Sequence, residues 1–190
     1  MTGEKSPRGK IHPEMLVGVS AVVIGLCALG VSMYETSLMR EEQRAAVMPI
    51  LELGRSFNVS AGDPSKNRFA LLAQNVGIGP ARVLDFKVMV DGKPQQTWDA
   101  TMRALTGSDE RISHSMSVIN GRTIPPDKTV RIFELKNMDF LEDVLEEGGR
   151  LEFEACYCSI FDECWTTKNT TFGVSQEAAS CSPNDTSFKE

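Results

Sequence analysis

Histidine is nearly absent from this chain: His12 and His114 are the only two among 190 residues. No serine stands in a Gly-x-Ser-x-Gly elbow, which removes a common hydrolase signature. No Cys-x-x-Cys pair occurs, so a redox-active dithiol at a helix start has no seat. Gly77-Ile78-Gly79 lacks a third glycine and a following Lys-Ser/Thr, and it precedes a strand pattern where phosphate-cradling loops require a helix. Basic residues are in deficit, 20 Lys+Arg against 26 Asp+Glu for a net charge of -6. A general nucleic-acid binder needs a basic face to displace counterions from phosphates, and this composition argues against one. With 41% hydrophobic and 24% charged residues, wholesale disorder and collagen are excluded. Long apolar runs are missing too, with one exception, so a multi-span channel is excluded.

The exception runs from Met15 to Met33 without a charged residue. At about 1.5 Å per residue, such a helix covers roughly the 30 Å hydrocarbon core of a bilayer. The spacing predicts a transmembrane helix over 15–34, with Tyr34 at interface depth. A cleaved signal peptide is the competing reading, but the run is long and no small-x-small cleavage site follows it. Lipidation at Cys27 is disfavoured by the bulky Leu26 before it. Lys5, Arg8 and Lys10 precede the span and Arg40 and Arg44 follow it, a bias that puts the N-terminus inside. Residues 1–14 are then a cytoplasmic arm, and the remainder is extracytoplasmic. Cysteine agrees, since Cys156, Cys158, Cys164 and Cys181 form an even set in the C-terminal part, as an oxidising compartment favours.

Residues 35–48 continue with good helix formers and read as a helical stalk ended by Pro49. From Ile50 the periodicity turns to alternation. Strands are expected at 51–58, 68–75, 82–90, 111–118, 129–135, 151–159 and 164–168. Asp91-Gly92 and Asn120-Gly121 are hairpin signals, and Pro125-Pro126-Asp127 is a turn. Short helices are expected at 97–105 and 138–147, the carboxylates Glu142, Asp143, Glu146 and Glu147 forming the wet face of the second. About seven short strands at this spacing fit a two-sheet sandwich over 49–172, with a small barrel as the competing architecture. Residues 173–190 lack periodicity and read as a mobile tail that only Cys181 could pin.

Two constellations bear on function. In Leu151–Trp165, Cys156 and Cys158 stand two apart and share a strand face. A five-residue loop over 159–163 would return Cys164 opposite Cys158, leaving Cys156 for Cys181. Four cysteines allow three pairings, and spacing favours this one. Zinc ligation by the same cysteines is disfavoured by their spacing and by an oxidising compartment. Nothing in the sequence asks for a metal or another cofactor. The other constellation is the bend Asn75-Val-Gly77-Ile-Gly79-Pro80-Ala81, which with Pro125 and Pro126 supplies candidate interaction loops.

This bend, followed by Val90-Asp91-Gly92, resembles a hairpin of immunoglobulin-like modules in bacterial envelope proteins. Together with the span, Met48-Pro49 and the Cys158-Ser159 … Cys164-Trp165 pattern, the chain from 15 to about 168 is similar to a group of uncharacterised bacterial single-pass membrane proteins. The resemblance implies an extracytoplasmic immunoglobulin-like β-sandwich held at the inner membrane. The expectation is a non-enzymatic membrane-anchored envelope protein, a structural or protein-interaction subunit of a membrane complex, with a homo-oligomer left open. The alternative is a small-molecule-binding or hydrolytic domain built on His114 and nearby carboxylates.

Overall fold

The computed structural model describes residues 13–60, 63, 66–108, 112–136, 148–171 and 173–190. The arm before Pro13 (with His12), the start of the expected 111–118 strand and the expected helix over 138–147 lie outside the described residues. The chain divides into two compact units, Met1–Gln43 and Arg44–Glu190.

Helix α1 spans Pro13–Ala45, 33 residues, or about 50 Å at 1.5 Å per residue. Among the described residues it is the one helix long and apolar enough to cross a membrane, and none of its apolar window is buried. The helix runs unbroken through the expected membrane span and most of the expected stalk. It stops at Ala45, short of Met48, because the residue before a proline is pushed out of helical geometry. The last turn tightens instead, with the amides of Val47 and Met48 donating to the carbonyls of Arg44 and Ala45.

The second unit is built of antiparallel strands. One sheet has the order β1-β2-β7-β5, from β1 (Leu51–Asn58), β2 (Arg68–Asn75), β5 (His114–Met116) and β7 (Thr129–Lys136). The other has the order β10-β9-β8-β3-β4, from β3 (Ala81–Val90), β4 (Lys93–Gln95), β8 (Leu151–Cys158), β9 (Cys164–Lys168) and β10 (Gln176–Ala178). Strand β6 (Thr123–Ile124) pairs with the first residues of β3. The apolar faces of both sheets meet in one core that includes Leu51, Phe69 and Leu71 from the first and Val83, Phe86 and Phe153 from the second. The architecture is therefore a long apolar helix followed by two antiparallel sheets closed on each other, as in a β-sandwich.

Two bulges keep this core continuous. Leu84 is an extra residue on β3 between Val83 and Asp85, so Val83 and Phe86 both point inward. Ile132 is an extra residue on β7 opposite the Leu71/Leu72 step. Each insertion resets the two-residue alternation of its strand. Helix α2 (Trp98–Thr106) is capped by the Thr97 hydroxyl, which accepts from the Ala100 amide, and closed by Gly107 at φ 67°. Its Trp98 stacks on Phe133 with ring centroids 4.3 Å apart.

Several expectations are corrected. The fifth expected strand shrinks to His114–Met116. Asn120-Gly121 is a turn between sheets rather than a hairpin, because β5 and β6 belong to different sheets. The short strands β4, β6 and β10 carry too little apolar alternation to stand out in the sequence. Residues 173–190 are not a loose tail. β10 pairs with β9, and Phe188 is 2% exposed, 4.7 Å from Trp98 and edge-on to Phe86. The Phe188 amide donates to the Phe86 carbonyl, and the Lys189 amide donates to that of Gln96. One buried aromatic, too isolated in sequence to form a pattern, anchors the segment.

Candidate interaction surface

Register puts four connections at one end of the β unit. Leu51 pairs with Asn75 and Arg82 with Cys158, so the entry segment 46–50, the 76–80 bend, the 125–128 turn and the 159–163 loop all lie there. Asn75 ties three of them together. Its side chain is wholly buried, accepts from the amides of Ile50 and Gly77, and donates to the carbonyls of Gly79 and Ile124 at 2.8 and 2.9 Å. Its backbone carbonyl also accepts from the Asp127 amide. The proline turn fits this arrangement, since Pro126 precedes Asp127 at φ 57° in the manner of a type II turn.

The two glycines of the bend are seats for backbone. A Cβ on Gly77 would stand 2.3 Å from the Ile50 nitrogen, and one on Gly79 would stand 1.7 Å from the Val47 oxygen. Ile78 and Gly79 both donate to the Met48 carbonyl. Asn75, Gly77 and Gly79 therefore face the protein interior and grip its own segment 47–50. Turn chemistry alone suggests exposed loop residues, but these three are buried. The structure does bring the 75–80 bend and the Pro125-Pro126 turn together.

This end shows several large apolar side chains to solvent. Ile78 is 65% exposed, Ile160 50% and Phe161 43%, with Met48, Ile50 and Val76 near 40%. These side chains give no periodic signal in the sequence, because they stand singly or, for Ile160-Phe161, as a pair among turn residues. The available signal was a bulky apolar residue at a loop position where glycine, proline and polar residues otherwise dominate. Two ion pairs lie at the same end, Arg82 bonding Asp162 at 2.8 Å and Arg44 bonding Glu163 at 3.2 Å.

The cysteines lie beside this end. Cys158 is joined to Cys164 across β8 and β9, and Cys156 is joined to Cys181. The sulfurs of Cys158, Cys164 and Cys181 lie within 4.8 Å of one another because the two bridges are neighbours. Held as disulfides, they carry no thiolate to offer a cation. Tyr157, between the bridged residues, points inward. Its hydroxyl accepts from the Leu51 amide and shares a 2.8 Å hydrogen bond with Ser175, and burial pushes its pKa above the ordinary phenol value. His114 sits elsewhere, on the edge strand β5. Its Nδ1 is 3.0 Å from the Ile112 carbonyl and its ring lies 5.1 Å from Phe133. No hydrogen bond or ion pair joins it to a carboxylate among the described residues.

The fold and this site define a two-sheet antiparallel domain, stapled by two disulfides, that follows a long apolar helix and exposes apolar side chains at one loop end. No protein-family model matches the chain, and no curated protein matches it.

Proposed function

We propose that the chain is a non-enzymatic, single-pass membrane protein whose immunoglobulin-like β-sandwich lies outside the cytoplasm and binds a protein partner through its loop end. The observation that carries this reading is the exposure of Ile78, Ile160 and Phe161, all in loops at one end of the fold. Large apolar side chains left exposed beside polar groups are a common composition of a protein contact. The apolar helix supports the anchor, and the disulfides support an oxidising compartment. In this reading the N-terminal arm is cytoplasmic, the domain faces the periplasm, and the chain is of the kind of single-pass envelope protein that its sequence resembles.

Site-directed photocrosslinking in native membranes tests it. A crosslinker at Ile78 should give one adduct of fixed mass, and Phe161→Glu should abolish that adduct. A crosslinker at Phe57, exposed at the opposite end of the strands, should give none. Equal adducts from both positions, or none from either, would sink the proposal.

A further inference from the structure

The outer face of the four-stranded sheet carries a feature that a chain of net charge -6 would not be expected to build. Pairing of Ala70 with Glu134 and of Arg68 with Lys136, and the Ile132 bulge that brings Arg131 opposite Leu72, place Arg68, Arg131, Glu134 and Lys136 on one face. Without that extra residue Arg131 and Glu134, three apart, would point to opposite faces. Arg68, Arg131 and Glu134, with the small residues Ser56 and Ala70, line a hollow of about 460 Å³, and Lys136 reaches Glu134 from beside it.

Glu134 lies at the bottom with its side chain 6% exposed. Arg68 approaches its Oε1 at 3.7 Å, and Arg131 and Lys136 approach its Oε2 at 3.4 and 3.7 Å. These contacts are long, and the three cations remain 54%, 58% and 55% exposed. Lys66 stands at the rim, paired with Asp63 at 3.2 Å. The three cations exceed the single carboxylate by two charges. Each guanidinium carries five donors, of which Glu134 can engage two at most.

We infer that this hollow binds a phosphoryl group, with Arg68 and Arg131 as the two guanidinium forks, Lys136 adding charge from beside it, and Glu134 as the carboxylate that the ligand displaces from them. Paired forks match the geometry of a tetrahedral oxyanion, and a dianion would balance the excess of two. The inference stands apart from the loop-end reading, because it concerns another face and a ligand of different chemistry.

The experiment is pyrophosphate titration of the full chain in dodecyl maltoside, followed calorimetrically at constant ionic strength. Saturable binding is expected, with Glu134→Gln tightening it severalfold by removing the competing carboxylate. The triple variant R68Q/R131Q/E134Q, which leaves no buried charge unpaired, should weaken binding at least tenfold while retaining the thermal transition of the parent. Repeating the titration in nanodiscs distinguishes the source. Weaker pyrophosphate binding with phosphatidic acid present than with phosphatidylcholine alone assigns the hollow to a lipid headgroup, and equal binding assigns it to a soluble phosphate. Heats no larger than those of chloride at equal ionic strength, or heats unchanged in the triple variant, would overturn the inference and leave the cations as neutralisers of Glu134.

Discussion

Asn75 shows how one side chain can decide whether a loop belongs to a surface or to the fold. Its carboxamide uses both its accepting and its donating ends on backbone from three segments. Asn75→Ala would orphan two carbonyls and two amides, and a loss of about 3 kcal/mol is expected in chemical denaturation. Asn75→Asp should cost no less, since a carboxylate cannot donate to Gly79 and Ile124. Gly79→Ala tests the same grip from the other side. A methyl carbon cannot stand 1.7 Å from the Val47 oxygen, so the segment must move, at about 3 kcal/mol. Tyr157 supplies a pH signature. Its folded-state pKa is raised by burial above the ordinary value of 10.0, so its contribution is fully present below about pH 10 and is lost as pH rises toward the folded-state value. The alkaline limb of the stability curve should therefore be steeper in the parent than in Tyr157→Phe, measured by denaturant midpoints from pH 9 upward.

At the scale of elements, long strands were legible and short ones were not. Leu51–Asn58 and Arg68–Asn75 form as their alternation implies, because eight residues repeat an inward-outward pattern often enough to be recognised. Gln176–Ala178 has only three residues and no alternation, and it exists because β9 offers it an edge. The bulges at Leu84 and Ile132 were invisible for a related reason: an extra residue shows only against a partner strand. The loop end was half legible. Turn chemistry located its bends, but which side chains turn inward depends on the 47–50 segment lying over Gly77 and Gly79. The C-terminal segment makes the sharpest test. Phe188→Ala should lower stability by about 3 kcal/mol, the usual range for emptying a phenylalanine site in a core. Serine at both Cys156 and Cys181 removes a link across 25 residues, for a loss of about 3 kcal/mol. Limited proteolysis should then cut within 173–190 in that variant while sparing the parent.

For the whole molecule, charge and sulfur divide along the chain at the same place. Of 20 basic and 26 acidic residues, three and two fall in 1–14, so the rest of the chain carries -7. A basic arm retained on the cytoplasmic side and an acidic, disulfide-bearing domain beyond the bilayer form the arrangement proposed above. It makes a count that can be checked without knowing the partner. Cys27 is the one free cysteine among the described residues, and in the proposed arrangement it lies within the bilayer, out of reach of a water-soluble reagent. In intact membranes a membrane-impermeant maleimide should therefore label no cysteine of the full chain. Denaturation without reductant should release one reactive thiol, and reduction before denaturation should release five, the number of cysteines in the sequence. Labelling of Cys156, Cys158, Cys164 or Cys181 in unreduced membranes would mean that the bridges do not form there. The domain would then face a reducing compartment, and both the orientation and the stapled loop end would have to be abandoned together.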